Sequence, residues 1–280
     1  MKTILLYSLV AVTIIGTGCV SIDQSRKEQH RSSTIEFLYP KGNFRTEQPS
    51  IPHLTLPLSV GIAFVPEGTG RHNARGPSEA RKRTLLEEVA EKFKSQPFIK
   101  NIEIIPTAYL KPGGGFANLE QIRTMLGIDV IALVAYDQIQ HTDANWASLT
   151  YLTVIGAYVI SGDDNETSTM LDTTVFHIPS RKLLFRAPGT SRIKGIGARV
   201  YREKRLRTEG IKGMTEANQK MIANLDKELG RFKARVKERP ADYRISHSPG
   251  YSGAGNLGGF SLLLCLVLLF ANRRKISPTA

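Results

Sequence analysis

The chain has 280 residues, 41% of them hydrophobic, and its 38 Lys and Arg outnumber 25 Asp and Glu to give a net charge of +13. That length and apolar content suffice for a domain held together by core burial alone. The two cysteines, Cys19 and Cys265, stand near opposite ends, which excludes disulfide and thiolate chemistry from everything between them. Met1-Lys2 opens the chain with a cation, Ile4–Ile15 is almost wholly apolar, and Gly16-Thr17-Gly18 are small. A positive start, a short apolar stretch and small residues before a cut predict a secretory signal over residues 1–18.

Cys19 follows those small residues directly, an order that resembles the bacterial lipobox. The resemblance implies cleavage between Gly18 and Cys19 and attachment of diacylglycerol, with fatty acyl chains such as palmitate, to the Cys19 sulfur. Val20 is not the Asp that usually signals retention in the inner membrane. Residues 19–53 then read as a lipidated N-terminus and tether. Ser21–Pro52 is polar with charge of both signs, and Ile35-Glu36-Phe37-Leu38-Tyr39-Pro40 is a local apolar patch placed to dock on the core.

The folded domain is expected over residues 54–240. Leu58–Pro66 is β-rich and bounded by prolines, which predicts a buried strand. Pro77-Ser78-Glu79 opens a helix whose Leu85, Leu86, Val89, Ala90 and Phe93 recur at helical spacing, and Pro97 ends it. Ile102–Pro106 reads as a second strand. Leu119, Ile122, Met125 and Leu126 share one face of a short helix stopped by Gly127. Ile128–Tyr136, nearly all apolar, reads as a central third strand. The β-α-β-α-β order predicts an α/β layer of crossover units. Trp146–Ile160, Thr167–Ile178 and Leu183–Ala187 then read as antiparallel strands, with turns at Gly162–Asn165 and Pro179–Lys182. A final helix is expected over Arg202–Lys237, broken near Gly210–Gly213 by low propensity and closed by Pro240. The fold class is therefore α/β, one mixed-sheet domain with a C-terminal helix, followed by a flexible linker over residues 241–257.

The tail begins at Gly258-Gly259. Phe260–Ala271 carries no charge and Arg273-Arg274-Lys275 are three adjacent cations. The apolar run is shorter than the ~20 residues a permanent spanning helix needs, so a span over about 257–271 is marginal, with the cations as its cytoplasmic stop. This pattern resembles the GlyGly-CTERM sorting signal. The resemblance implies that a rhombosortase, an intramembrane serine protease of the rhomboid family, cuts near Gly258 and Gly259. The stretches Trp146–Tyr151, Gly156–Ile160, Asp172 and Ser180–Gly189, with the segment order, resemble the rhombotarget lipoproteins. That family pairs a lipoprotein signal with such a tail, which implies location and maturation rather than a chemistry. More distantly the core resembles the amino-terminal TolB-type and CsgG-type domains of outer-membrane lipoproteins.

Candidate chemistry is sparse. The six histidines, His30, His53, His72, His141, His177 and His247, form no His-x-x-x-His metal spacing. His141 with Asp143 is a loop pair of a common kind, and Asp163-Asp164-Asn165-Glu166 lacks the spacing of a calcium loop. Ser148 and Ser180 stand in no Gly-x-Ser-x-Gly context. Gly113-Gly114-Gly115 lacks the Lys-Ser/Thr of a phosphate loop, and Gly68, Gly70, Arg71, His72, Arg75 and Gly76 form a second loop suited to contact. Residues 181–244 hold 19 Lys and Arg against 7 Asp and Glu. Export signals set nucleic acid aside, which leaves a solvated basic helix or contact with anionic envelope surfaces. No catalytic, metal or cofactor residue is assigned. The expected function is a non-enzymatic envelope lipoprotein. It starts in the inner membrane and moves to the outer membrane or cell surface, served by the protease, the lipoprotein maturation and export machinery, and envelope protein partners. The competing classes are a self-oligomerising export or pore component of CsgG-like type, and a periplasmic hydrolase. A cleft gathering His141, His177 and carboxylates would favour the hydrolase.

Overall fold

The structure is a computed structural model that describes residues 26–40, 49–67, 76–144, 163–197 and 201–251. The expected strand over Trp146–Ile160 lies outside the described residues, as do Gly68–Arg75 and Ser148. The elements run β1 (Arg26–Arg31), α1 (Thr34–Leu38), β2 (His53–Leu56), β3 (Leu58–Phe64), α2 (Glu79–Phe93), β4 (Ile99–Ile104), α3 (Gly115–Leu126), β5 (Val130–Ala144), β6 (Asp163–His177), β7 (Lys182–Gly197), α4 (Arg202–Glu238) and β8 (Arg244–His247).

Six strands form one mixed sheet in the order β4-β3-β5-β6-β7, with β1 added along β5. β3 runs parallel to β4 and β5, whereas β6 and β7 continue antiparallel from β5. The long strand β5 is the hub. Its first half, Val130–Val134, pairs with β3, and its second half, Asp137–Thr142, pairs with β1 on the same edge. Alternation along β5 divides the core in two. Val130, Ala132, Val134 and Tyr136 meet α2 and α4 on one face, while Ile131, Leu133 and Ala135 meet α1 and α3 on the other. Strands buried on both faces need the continuous apolar run that this segment shows, and each fully buried Leu or Ile contributes roughly 1.5–3 kcal/mol.

Local signals set the helix ends. Ser78 caps α2, its hydroxyl accepting from the Arg81 N–H, and Gly127 closes α3 in the left-handed region at φ 63°. The turn between β6 and β7 falls at Ile178–Arg181, where Arg181 adopts φ 56°.

Four sequence expectations are corrected. The polar stretch read as a tether supplies β1 and α1. Arg26–Arg31 pairs with Asp137–Thr142, and α1 buries Phe37 and Leu38 in the second core, so that apolar patch does dock. The stretch read as a flexible linker supplies β8, parallel to β2 in a separate two-stranded sheet. The acidic cluster Asp163-Asp164-Asn165-Glu166 is strand rather than turn, paired with Ala144–His141, which also moves His141 and Asp143 from a loop into β5. Finally, α4 runs its 37 residues without a break, through Gly210 and Gly213.

Those glycines are there for proximity to the sheet. A Cβ on Gly213 would lie 2.8 Å from Thr169 Oγ1, and one on Gly210 3.0 Å from Gln138 Oε1. From the sheet side, a Cβ on Gly189 would lie 2.2 Å from the Ala217 carbonyl oxygen and 2.4 Å from the Met221 nitrogen. Backbone cannot yield as a side chain tip does. Gly189→Ala is expected to lower stability by about 3 kcal/mol, the upper range for overpacking. Gly230→Ala, in the same helix with nothing within 4 Å of its added Cβ, is expected to raise stability by about 1 kcal/mol from helix propensity. Urea unfolding of the two variants beside the parent measures both.

Candidate functional site

An opening lies between the C-terminal half of α4, the end of α2 and the starts of β3 and β5. It is an apolar groove of about 680 Å³, within the range of ligand sites. Val60 and Val130 form its floor, Phe93 and Phe98 one wall, and Leu229 and Phe232 the other. Ile245, His247 and Tyr251 close it from β8 onward. Aromatic contacts stiffen the wall. Phe185 and Phe232 lie 5.4 Å apart, and Tyr243 meets Phe232 edge-on at 5.5 Å. His247 stacks on Tyr251 at 5.8 Å.

The groove's charge is one-sided. Lys233 and Lys237 are its lining cations, and among the described residues no carboxylate lines it. They stand one helical turn apart at i and i+4. Lys233 Nζ sits 4.3 Å from the Phe98 ring centroid and 3.3 Å from Gln96 Oε1, so a cation–π contact holds it at the rim.

The N-terminal half of α4 meets the sheet differently. Here the sheet face is polar and hydrogen-bonds to helix carbonyls. Gln140 Nε2 donates to Leu206 O at 2.8 Å, Gln138 Nε2 to Gly210 O at 3.0 Å, and Ser191 Oγ to Gly213 O at 2.7 Å. Glu209 is buried among these groups. Thr167 Oγ1 donates to its Oε2 at 3.5 Å, and Arg205 Nε lies 3.9 Å from its Oε1. Burial pushes its carboxyl above the usual range, with Arg205 and Thr167 opposing. A hollow of about 510 Å³ beside Gln138 and Gln140 belongs to this zone, but both amides are already engaged with the helix.

His177 is buried at the other end of β6. Its Nδ1 lies 2.7 Å from Ser180 Oγ and accepts the Ser180 N–H at 3.3 Å. Burial pulls its pKa below the ordinary value; Asp129 and a hydrogen bond with the His53 backbone oppose that shift. Ser180 is itself buried, so the pair locks the β6–β7 turn and presents no nucleophile. His141 faces Glu166 across β5 and β6, while His177 faces Val130. Eleven residues of strand separate His141 from Val130, about 36 Å, so His141 and His177 share no cleft.

The Gly113–Gly115 loop gives room to α1, since a Cβ on Gly115 would lie 3.0 Å from the Leu38 carbonyl oxygen. Among the described residues no cluster of three His, Cys, Asp or Glu could hold a metal, and no helix is long and apolar enough to cross a membrane. Gly18, Cys19, Gly258, Gly259, Arg273, Arg274, Lys275 and the expected span at 257–271 all lie outside the described residues.

No protein-family model matches the chain, and no curated protein does. Among solved structures it is similar to the PelC dodecamer from Paraburkholderia phytofirmans, at 11% identity over 71% of this chain and 96% of that one, with a TM-score of 0.29. It is also similar to lipoprotein GNA1162 from Neisseria meningitidis, at 12% identity over 50% of this chain and 85% of that one, with a TM-score of 0.26. Likenesses that remote leave the site to its own geometry.

Two pH dependences follow with opposite sign. His177 holds fewer protons folded than unfolded, so its contribution to stability is complete above its ordinary pKa of 6.5 and is lost as pH falls through the lower folded value. Urea unfolding between pH 7.5 and 5.5 is expected to show falling stability that His177→Asn flattens. Glu209 holds its proton longer folded than unfolded, so its contribution is complete below 4.5 and lost as pH rises through the higher folded value. Glu209→Gln is expected to be more stable than the parent at pH 7 and to lose that advantage in acid.

Proposed function

We propose that the chain is an exported lipoprotein whose α/β domain is a non-enzymatic binding module, with the apolar groove as its ligand site. The groove carries this reading. It offers a large apolar surface edged on one side by two lysines, and among the described residues its lining holds no carboxylate, serine or cysteine to act as acid or nucleophile. The single His247 on its wall is stacked on Tyr251 and has no carboxylate beside it in the lining.

The two ends of the sequence supply the address. Cys19 after Gly18 carries the lipid, and Gly258-Gly259 with Phe260–Ala271 and Arg273-Arg274-Lys275 form the removable tail. A lipoprotein cannot be carried to the outer membrane while its tail is threaded through the inner one. Cleavage by a rhombosortase near Gly258 and Gly259 therefore precedes delivery, and the lipoprotein maturation and export machinery acts on both sides of that step. Arg26 pairs with Thr142 at the far end of β5, so six residues join the lipid site to one end of the domain. Tyr251, on the groove wall, lies at the other.

Mass spectrometry of both termini of the mature protein is expected to show an acylated Cys19 and a C-terminus near Gly258. A Gly258→Leu, Gly259→Leu variant is expected to stay full-length in the inner-membrane fraction. Its recovery, trimmed, from the outer membrane would sink the proposed order.

A further inference from the structure

We infer that the groove takes one acyl chain of an anionic phospholipid, with the phosphate held at the rim by Lys233 and Lys237. The inference rests on reading the groove as a ligand site. Its lining is aliphatic and aromatic along its whole length, which suits a hydrocarbon chain. Its polarity is confined to the edge, where two lysines one turn apart meet no acidic group in the lining. Lys233 is pre-positioned there by Phe98 and Gln96. An apolar trough with a cationic lip is complementary to an amphiphile with an anionic head.

Two other occupants fit less well. The lipid on Cys19 enters from the wrong end. Its connection to Arg26, seven Cα–Cα steps, spans about 25 Å when extended, whereas the strand from Thr142 back to Val130 covers about 40 Å, so an acyl chain on Cys19 would touch the groove only at its tip, with connection and chain both fully extended, and could not lie along it. The chain's own apolar run, Phe260–Ala271, starts close enough to Tyr251 to reach the groove. It ends, however, in Arg273-Arg274-Lys275, like charges to the lip.

The test is native mass spectrometry of the full chain released from neutral detergent. Phosphatidylglycerol and phosphatidylcholine of the same chain length are titrated separately. One phosphatidylglycerol is expected to bind at a concentration at least tenfold below that for phosphatidylcholine. Lys233→Glu with Lys237→Glu, both exposed positions, is expected to abolish that preference. Leu229→Trp, which fills the groove, is expected to remove the bound lipid of either kind. Equal affinity for the two lipids overturns the inference, as does lipid retained by Leu229→Trp. A Leu229→Cys variant that forms a disulfide with Cys265 identifies the tail as occupant; that outcome overturns the lipid but leaves the groove as a ligand site. Neither lipid nor disulfide removes the ligand-site reading as well.

Discussion

Helix α4 touches the sheet with its backbone, and the rest of the molecule is arranged around that contact. At Gly189 no side chain fits between strand and helix, because a single added carbon would meet the Ala217 carbonyl and the Met221 nitrogen. The buried face of α4 is graded to match. Gly210, Gly213 and Ala217 come first beside Met214, Met221 stands at the Gly189 contact, and Leu225, Leu229 and Phe232 follow. Small residues bring one half of the helix onto the sheet, and large ones hold the other half off it. The groove opens where the large ones stand. A helix of 37 residues spans about 55 Å, enough for both regimes along one element.

The two halves also use opposite chemistry. Where the backbones are close, carbonyls on the buried side of the helix accept a second hydrogen bond, donated from the sheet by Gln138, Gln140 and Ser191. Direct side-chain donation to a carbonyl already within the helix ladder fixes register as well as distance. Glu209 fits only because Gly195 opposite it has no side chain; a Cβ there would lie 1.9 Å from Oε1. Where the helix stands off, contacts are aliphatic and aromatic, and the lysines move to the edge. Packing and polarity therefore switch together midway along α4. The closed half is a satisfied polar interface, and the open half is the part of the molecule with apolar surface to offer.

Much of the central layer was legible in the sequence. The apolar run Ile128–Tyr136 marked β5, the Leu85–Phe93 spacing marked α2, and Gly127 marked the end of α3. These signals are local and strong. Three misreadings share a physical cause, since each concerned a segment whose structure is set by a distant partner. Arg26–Arg31 has no strand-like composition and is a strand because β5 extends beyond β3 and offers it a free edge. Arg244–His247 is a strand because β2 lies alongside. Gly210 and Gly213 lower intrinsic helix propensity, but tertiary contact outweighs about 1 kcal/mol per glycine. The groove was hidden for the same reason, its walls coming from both helices and from strands far apart in sequence. Its one local trace was apolar Ile245 and Tyr251 within a stretch otherwise read as linker. The proposed lipidation and processing residues are the reverse case, resting on sequence alone and lying outside the described residues.

The chain enters and leaves the domain at opposite ends, and this bears on how the proposed anchors act together. Arg26 lies beside Thr142, and Tyr251 lies by the groove near the start of β5, about 40 Å away along the strand. Short connections follow on both sides, seven residues back to Cys19 and nine forward to Phe260. With a lipid at one end and a threaded tail at the other, the strands would lie along the membrane, and the groove would be held close to it. With the tail removed, one short connection remains, at the end remote from the groove, and the domain could pivot about it. The proposed cut would thus change what the groove can reach, without any change in the fold.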